Sequence, residues 1–572
     1  MGLGSLAFHS CQNPPEPVAD SRVNDYALYD ADGNLHRLSR YNNSKAIVLW
    51  VQGNNCPIVR NALTDFNAIV DTYASRGIKF FMLNSNLQDD RKKVKKEATE
   101  FNFSVPVLMD SAQLIADELD INITSEAIVL HPVTRNILYR GPLNNRLDYE
   151  IQKNAPSRTH LRDALDAILA NQPVPQGPEM ARGCTVTRLS KTGAYDDLTF
   201  TNDIAPILKD NCVRCHNPEG IAPWAMEDYK TIRGWSSMMK QVLLSKRMPP
   251  WKADPKIGSF VNSFHLADSN AAKIVRWIDN GMEYGAGSDP LASLKTVESE
   301  WKYGQPDTII SLDAETIPAT GLLPYRYQEI PLNFKQDRWL QGVEIKPGAK
   351  KALHHLVLTN TERNKKSEIT SREQRPWTDN FIALSGGDTR VTFYREGSAV
   401  LLPKNMTLTA QLHYTTTGKE ETDQTVIGLY FAKEPPTKQI LALSPSNTNL
   451  NIPAHTEEIR QIATDTITKA ISIHYIWPHM HYRGKSIRFS VIDPAGEKHT
   501  LLSVPDYNFN WQWFYQLETP FRAEAGSIIL VEGVFDNSVQ NPFNPDPSMD
   551  VGFGIQSYDE MLIGFFNYTL EE

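Results

Sequence analysis

A multidomain chain is what the sequence predicts, with one α/β domain, one all-α domain and two all-β, jelly-roll-like sandwiches. Three observations carry that prediction. The 572 residues are too many for one hydrophobic core, because single cores stop growing at roughly 250–300 residues. Strand-like and helix-like apolar runs alternate up to about residue 175, whereas from about residue 300 the pattern alternates with period two. Between these regimes lie a Pro-rich linker, "QPVPQGPEM", and a helical stretch. The expected boundaries are a tail at 1–22, an α/β domain at 23–175, a linker at 176–194, a helical domain at 195–290, and β-sandwiches at 300–435 and 436–572.

In the first domain, "KAIVLWV" and "IKFFMLNSN" read as buried strands. The helix "CPIVRNALTDFNAIVDTYASRG" is stopped by Gly77, and "DDRKKVKKEATEFN" reads as a solvated helix. "SEAIVLHP" and "NILYRGPL" form a hairpin, and "THLRDALDAILAN" closes a unit with a mixed sheet. In the helical domain, "DLTFTNDIAPILKDNCVRCH" leads in and "DSNAAKIVRWIDNGM" leads out. "AISIHYI", "SIRFSVID" and "SIILVEGVF" are period-two strands of the β region, set off by Pro, Asn and Gly turns.

A net charge of −9 and a pI near 5.9 argue against nucleic acid as the main partner. No apolar run approaches the ~18 residues that span a bilayer. The N-terminus, "MGLGSLAFHSCQNPPEPVADSR", has no basic n-region and carries Leu6 where myristoylation needs Ser or Thr. It resembles the end of a bacterial lipoprotein signal, with apolar residues, Ser10, Cys11 and then a polar Pro-rich tether. That resemblance implies lipidation at Cys11 and a membrane tether; a plain tail is the alternative.

"CVRCH", Cys212 to His216, has the spacing of covalent haem attachment, in which two thiols add to the haem vinyls and the next histidine binds the iron. A redox CxxC followed by a chance histidine is the competing reading, but such a motif follows a strand, and this one follows the helix-like "IAPILKDN". Met248 in "KRMPPW" is the expected sixth ligand, presented by a Pro-held loop. Met226 in "APWAM" is its rival, and Met238 and Met239 are expected to pack. The stretch 200–287 resembles small class I cytochrome c domains. The resemblance implies one covalent haem c and a periplasmic or exported protein.

The first domain resembles thioredoxin-like redoxins, including peroxiredoxins, through "VLWVQGNNCPIVRN". Cys56 falls at the strand-to-helix turn, where a helix N-terminus lowers a thiol pKa. Two departures stand out. Val59 occupies the second motif position, and the cis-proline expected before "AIVLHP" is replaced by Thr124-Ser125-Glu126. Disulfide exchange within the motif is therefore impossible. A one-thiol role for Cys56 and a pairing with Cys184 in "RGCTV" both stay open; the pairing would contribute roughly 4–5 kcal/mol in the chain-entropy model. The domain reads first as a structural or docking module, and second as a working thiol-redox domain.

The β region holds histidines that sort into two sets. "KALHHLVL" and "TAQLHYTTTG" supply His354, His355 and His413. "IWPHMHYRGK" supplies His479 and His481, and "YDEMLIGFFNY" supplies Met561. Each residue alone reads as core or surface, and adjacent histidines share a metal only where a strand bends. Together they make an all-imidazole set and a two-imidazole, one-thioether set, which tolerate both copper states. Their order resembles the copper type II, ascorbate-dependent monooxygenases, the family of peptidylglycine α-hydroxylating and dopamine β-monooxygenases. The resemblance implies two coppers facing across a solvent cleft between two sandwiches. His354, His355 and His413 would hold an electron-relay copper; His479, His481 and Met561 would hold the copper where O2 reacts with a small-molecule or peptide substrate. The peptide-clamping arginine of that family is Trp477 here, and Ile563 and Phe565 replace Asn and Tyr, which implies a more apolar pocket. The fused haem, supplied by an ascorbate-like or protein donor, would deliver electrons. A non-catalytic electron-transfer or copper protein and a thiol-redox protein acting through Cys56 are the alternatives.

Overall fold

The computed structural model describes residues 22–147, 152–175, 181–292, 294, 301–321, 323–360, 381–386 and 390–571. Cys11 and the tail expected to carry a lipid lie outside the described residues. The chain divides into two compact units. One contains the chain up to Tyr26 and Tyr41–Arg188; the other contains Ala27–Arg40 and Leu189–Glu572.

In the first unit, strands β3 (Ala46–Gln52), β4 (Ile78–Asn84), β5 (Val107–Met109), β6 (Glu126–Leu130) and β7 (Ile137–Pro142) form one mixed sheet in the order β5-β4-β3-β6-β7. β3 pairs in parallel with β4 and antiparallel with β6. All seven residues of β3 are buried. This is why the strand reads as a continuous apolar run: a central strand covered on both faces has no solvent side to alternate with. Helix α1 (Pro57–Tyr73) buries Ile58, Val59, Ala62, Leu63, Phe66, Ile69, Val70 and Tyr73, the one-sided stripe of an amphipathic helix. Pro57 starts it, where a missing N–H costs nothing. Gly77 at φ 90° ends the turn after it and returns the chain to β4. Helix α2 (Arg91–Glu100) is capped by Asp90, which accepts from Lys93 N–H at 2.8 Å, and buries only Val94 and Glu97. Helices α3 (Leu114–Glu118) and α4 (His160–Leu169) complete the unit.

The hairpin β1 (Ala27–Tyr29) and β2 (Leu35–Arg37) follows different company from the one its sequence position implies. It belongs to the second unit, where Arg37 and Lys252 reach Asp506 at 3.1 and 2.9 Å. Burial opposes ionisation of Asp506, yet the two cations hold its carboxyl well below the usual range.

In the second unit, helices α5 (Ala205–Asn211), α6 (Tyr229–Leu244) and α7 (Asp268–Asp279) pack around Phe200, Ile232 and Trp277. Turns and extended chain make up much of the rest of 195–290, so the stretch expected to be all-α is helical only in part. The remainder is rich in β-structure. Strands Arg326–Pro331, Thr407–Tyr414, Leu353–Asn360 and Phe381–Gly386 form one sheet, in that spatial order. It encloses a core with a second sheet built on Arg338–Lys346 and Val426–Phe431. Farther on, Leu441–Leu443, Ile563–Leu570, Ile471–His479 and Tyr515–Ala523 form a sheet that packs on the sheet of Ile459–Thr466, Ile528–Phe535, Gly484–Ile492 and Lys498–Val504.

The outer faces of the first and third of these sheets meet each other. Leu356 and Leu358 point into one sandwich core, and Ile473 and Ile476 into the other. Val357, Tyr475, Trp477 and Phe565 share a third cluster with Phe381 and Phe514. Period-two alternation therefore supplies two buried faces per strand, and the histidines ride on the shared one. Among the described residues, no helix is long and apolar enough to cross a membrane.

Candidate functional site

His355 and His413 are direct cross-strand partners, so their side chains stand side by side on one face. His354 ought to face the other way. The ladder slips between Leu353 and His355, and this irregularity turns His354 to the same side. The Nδ1 atoms of His354 and His355 lie 3.1 Å apart. One ligand nitrogen from each of His354, His355 and His413 falls within 4.8 Å of the others.

His479 is the last residue of its strand, and His481 follows two residues later in the turn. Alternation persists past the strand end: Met480 enters the sandwich core, while the rings of His479 and His481 stand 5.2 Å apart, nearly perpendicular. Each has its Nδ1 engaged. His479 Nδ1–H donates to Gln512 Oε1 at 2.6 Å, and His481 Nδ1–H donates to the Asp559 carbonyl at 3.1 Å. That fixes the tautomer and leaves Nε2 as the lone-pair nitrogen. Met561 is 4% exposed and lines one small cavity, about 20 Å³, with both of these histidines.

All five histidines are held neutral. Burial is the main cause, and neighbouring imidazoles add to it at every one but His479: His354 and His479 are pushed down to about 4 and His413 to about 3. His355 and His481 are also driven well below their ordinary value. His354 Nε2, His355 Nε2, His413 Nδ1 and His481 Nε2 are buried without a hydrogen-bond partner. A buried polar atom left so is costly unless something else satisfies it. Neutral imidazoles with orphaned lone pairs are the form a divalent or monovalent transition metal needs.

The expected solvent cleft between the two sets is not what the structure has. The rings of His355 and His479 are 6.4 Å apart. Phe509, 3% exposed, contacts His354, His355, His413 and His481 with ring separations between 5.2 and 6.3 Å. The physical reason is the apolar sheet-to-sheet interface, which draws the two faces into contact and excludes water. The small cavity is walled by Val357, Trp477, Ile563 and Phe565, and Trp477 stacks on Phe565 at 4.6 Å.

Three supporting residues escaped the sequence reading. Gln512 orients His479. Phe509 fills the space between the sets. Glu560, fully buried, accepts the backbone N–H groups of His481 at 3.0 Å, Arg483 at 2.6 Å and Met561 at 3.3 Å, tying the histidine turn to the methionine. Burial pushes its carboxyl up to about 8 against those donors. The available signals were a lone polar residue inside "WQWF" and an acid directly before the apolar run "MLIGFF".

In the helical stretch, Cys212 and Cys215 are half-buried thiols, and burial pushes Cys212 up to about 12. His216 Nδ1–H donates to the Trp224 carbonyl at 3.0 Å, leaving Nε2 for another partner. Met226 is buried in the same cluster as Cys212, and its N–H bonds the His216 carbonyl at 2.8 Å. Met248 lines a different cavity, about 40 Å³, with Tyr29, Trp251, Lys252 and His265; His216 is not among its walls. Met239 is buried, as expected for a packing residue, whereas Met238 is 43% exposed. Packing is not its role.

In the first unit, Cys56 caps α1 and is disulfide-bonded to Cys184, with Cα atoms 6.1 Å apart. Thr124, in the stretch where a cis-proline was expected, organises this bridge. Its Oγ1 accepts the Cys184 N–H at 2.8 Å and lies 3.2 Å from Cys56 Sγ. Thr124 N–H and Val186 N–H bond the Cys184 and Asn122 carbonyls at 2.9 and 3.0 Å. A Cβ on Gly183 would sit 2.0 Å from the Thr124 oxygen, so only glycine permits this approach.

Residues 19–140 match the AhpC/TSA family, and the N-terminal domain is a thioredoxin-like redoxin domain of that type. A hypothetical protein from Sinorhizobium meliloti 1021 is 23% identical, with 30% of this chain and 94% of that chain covered at a TM-score of 0.27. An uncharacterized conserved protein from Geobacillus kaustophilus is 27% identical, with 32% and 98% covered at 0.27. Peroxidoxin BcpB from Mycobacterium tuberculosis is 19% identical, with 26% and 94% covered at 0.21. No curated protein matches the chain.

Proposed function

We propose that the protein is an exported oxidoreductase whose second unit binds two coppers and hydroxylates a C–H bond of a small apolar substrate with O2. One observation carries this reading: five neutral imidazoles from two sheets converge, four of them buried and His354 half-buried, and His354, His355, His413 and His481 each have a ring nitrogen without a hydrogen-bond partner. Three imidazoles suit either copper state, and the Met561 thioether beside two imidazoles favours Cu(I) over harder metals. Copper, when bound, supplies one-electron exchange and the binding of O2. The chain does the rest. Gln512 and the Asp559 carbonyl aim two Nε2 atoms, Glu560 holds the turn to Met561, and Trp477, Ile563 and Phe565 keep water from the small cavity. Covalent haem at Cys212 and Cys215, with His216 on the iron, fits the thiol pair and the oriented imidazole, and would pass electrons singly. A methionine on such a haem would more readily come from Met226, which shares the motif's core cluster, than from Met248. Metal and haem analysis of periplasmically expressed protein tests the reading: two coppers and one haem per chain are expected, with substrate-dependent oxygen uptake. Copper-free protein, or copper-loaded protein inert toward O2 with small hydrocarbons, removes it.

A second reading places redox chemistry at Cys56 and Cys184. It is supported by the AhpC/TSA match and by the disulfide. A peroxide would oxidise the Cys56 thiolate to a sulfenic acid, and Cys184 would close the disulfide with release of water. Peroxide consumption driven by dithiothreitol, lost in Cys56→Ser, would support it; equal rates in both proteins would exclude it.

A further inference from the structure

Trp477, a wall of the small cavity beside Met561, is 1% exposed, and its Nε1–H is buried without a hydrogen-bond partner. The strand puts it there. Trp477 and His479 are two residues apart, so both rings reach the same face of the sheet and stand 5.3 Å from each other. The indole is held from the side by Phe565, its cross-strand partner, on which it stacks at 4.6 Å. A buried N–H left unpaired costs about 1–3 kcal/mol, and an indole nitrogen only donates. What this site lacks is therefore an acceptor.

The rest of the lining restricts what that acceptor is. Val357, Ile563 and Phe565 make the wall largely apolar, and among the described residues no Asp, Glu, Lys or Arg lines it. Arg483, two residues after His481, is engaged by Asn537 and by the Tyr558 and Asp546 carbonyls. A carboxylate would enter without a counter-charge, which is costlier than burying a neutral group. A hydrocarbon would leave the indole N–H unpaired. We infer that the site takes a small neutral molecule with an apolar body and one carbonyl or ether oxygen, which accepts from Trp477 Nε1–H while the body lies against Met561 and the two histidines. This substrate class rests on the reading of His479, His481 and Met561 as the copper site where O2 reacts. At about 20 Å³ the cavity holds one water-sized molecule, so an organic guest requires a wall to move. Val357, Gln411, Trp477, His479, Ile563 and Phe565 lie on strands. Ile555 lies in a turn outside the strands and is 48% exposed. That turn closes on itself, with Asp559 N–H on the Gln556 carbonyl at 2.9 Å and Gln556 N–H on Asp559 Oδ2 at 3.2 Å. Ile555 is the wall that yields, and the guest enters past it.

The test uses the isotope-labelled full chain, metal-free and Cu(I)-loaded, with acetone and isobutene as probes of one shape that differ in the acceptor. The Trp477 indole N–H resonance, identified by its loss in Trp477→Phe, is expected to move saturably with acetone and to stay in place with isobutene. The ratio of acetone to isobutene affinity is expected to fall about tenfold on Trp477→Phe, since the cycle cancels the shared apolar contribution and leaves the hydrogen bond. Ile555→Ala, at a half-exposed position, is expected to raise the affinity for both probes. Copper uptake is measured on the same samples. A saturable shift in a chain that takes up no copper removes the hydroxylase reading and keeps the acceptor site. Copper uptake with no shift overturns the inference and leaves that reading standing. An affinity ratio unchanged in Trp477→Phe, or affinities unchanged in Ile555→Ala, also overturns it.

Discussion

Replacing Cys184 by alanine isolates the cross-link of the first unit. The bridge spans 128 residues. The chain-entropy relation for a loop of that length gives roughly 16–17 cal/mol/K, or about 5 kcal/mol at 25 °C. The side-chain loss is small by comparison. Cys184 is only half-buried, and the remaining Cys56 thiol behaves as a small apolar group against Thr124. The backbone bonds between Thr124 and Cys184 do not use the sulfur and stay available. The consequence is read by hydrogen exchange of the full chain on peptides covering Ala46–Gln52, the central buried strand. Those amides open only with the unit as a whole, so their protection follows its stability. A loss of between about three and four orders of magnitude is expected, since each ~1.4 kcal/mol is tenfold. Reduced wild-type protein should match the variant. A loss below tenfold would refute the reasoning: it would mean that the pairing of residues 122–124 with 184–186 keeps the loop closed without the sulfurs.

Other outcomes follow from the second unit. Met561→Leu nearly conserves volume and should cost under about 1.5 kcal/mol of stability, yet copper content should fall from two equivalents to one by metal analysis; full retention would remove Met561 as a ligand. Gln512→Leu frees His479 to rotate and should weaken binding of one copper by about 10–100-fold in a chelator competition, with the His354, His355 and His413 set unaffected. His474 donates or accepts at Thr569 Oγ1 at 3.0 Å, and burial pushes it down to about 4. The unfolded chain therefore binds a proton that the folded one does not. Stability should fall as pH drops from about 6.5 toward 4, and His474→Gln should lower the slope of that part of the denaturation profile by one proton, the other buried histidines keeping the rest. Acidified solvent should fail to extract haem from the wild-type chain and should extract it from a Cys212→Ala, Cys215→Ala variant. Met226→Ala, and not Met248→Ala, should abolish a low-spin methionine-ligated spectrum.

How much was legible depends on the range of the interactions involved. β3, α1, Gly77 and the β6–β7 hairpin follow from local pattern, because burial on one stripe or on both faces prints directly onto residue spacing. β5, only Val107–Met109, and α3, only Leu114–Glu118, are too short to show a period. The β1–β2 hairpin was placed in the first domain by chain order. Its ion pair with Asp506, through Arg37, spans 469 residues, and no local signal carries such a pairing. Similarly, "HH" is two opposed side chains on a regular strand, and only the irregular ladder at His355 brings them together.

By itself the sequence determined the inventory: a redoxin-like first domain, a CxxCH motif, and histidines with one methionine spaced as two ligand sets. Residue types and short spacings are enough for that, since ligand chemistry and period-two alternation are properties of a few consecutive residues. Only the tertiary structure decided the arrangement. It paired Cys56 with Cys184, put Thr124 at the bridge, set Met248 and His216 in different surroundings, and pressed the two histidine sets against Phe509. These depend on which apolar faces pack together, and burial is non-directional: it specifies that a face must be covered and leaves the covering partner to be chosen by the whole chain.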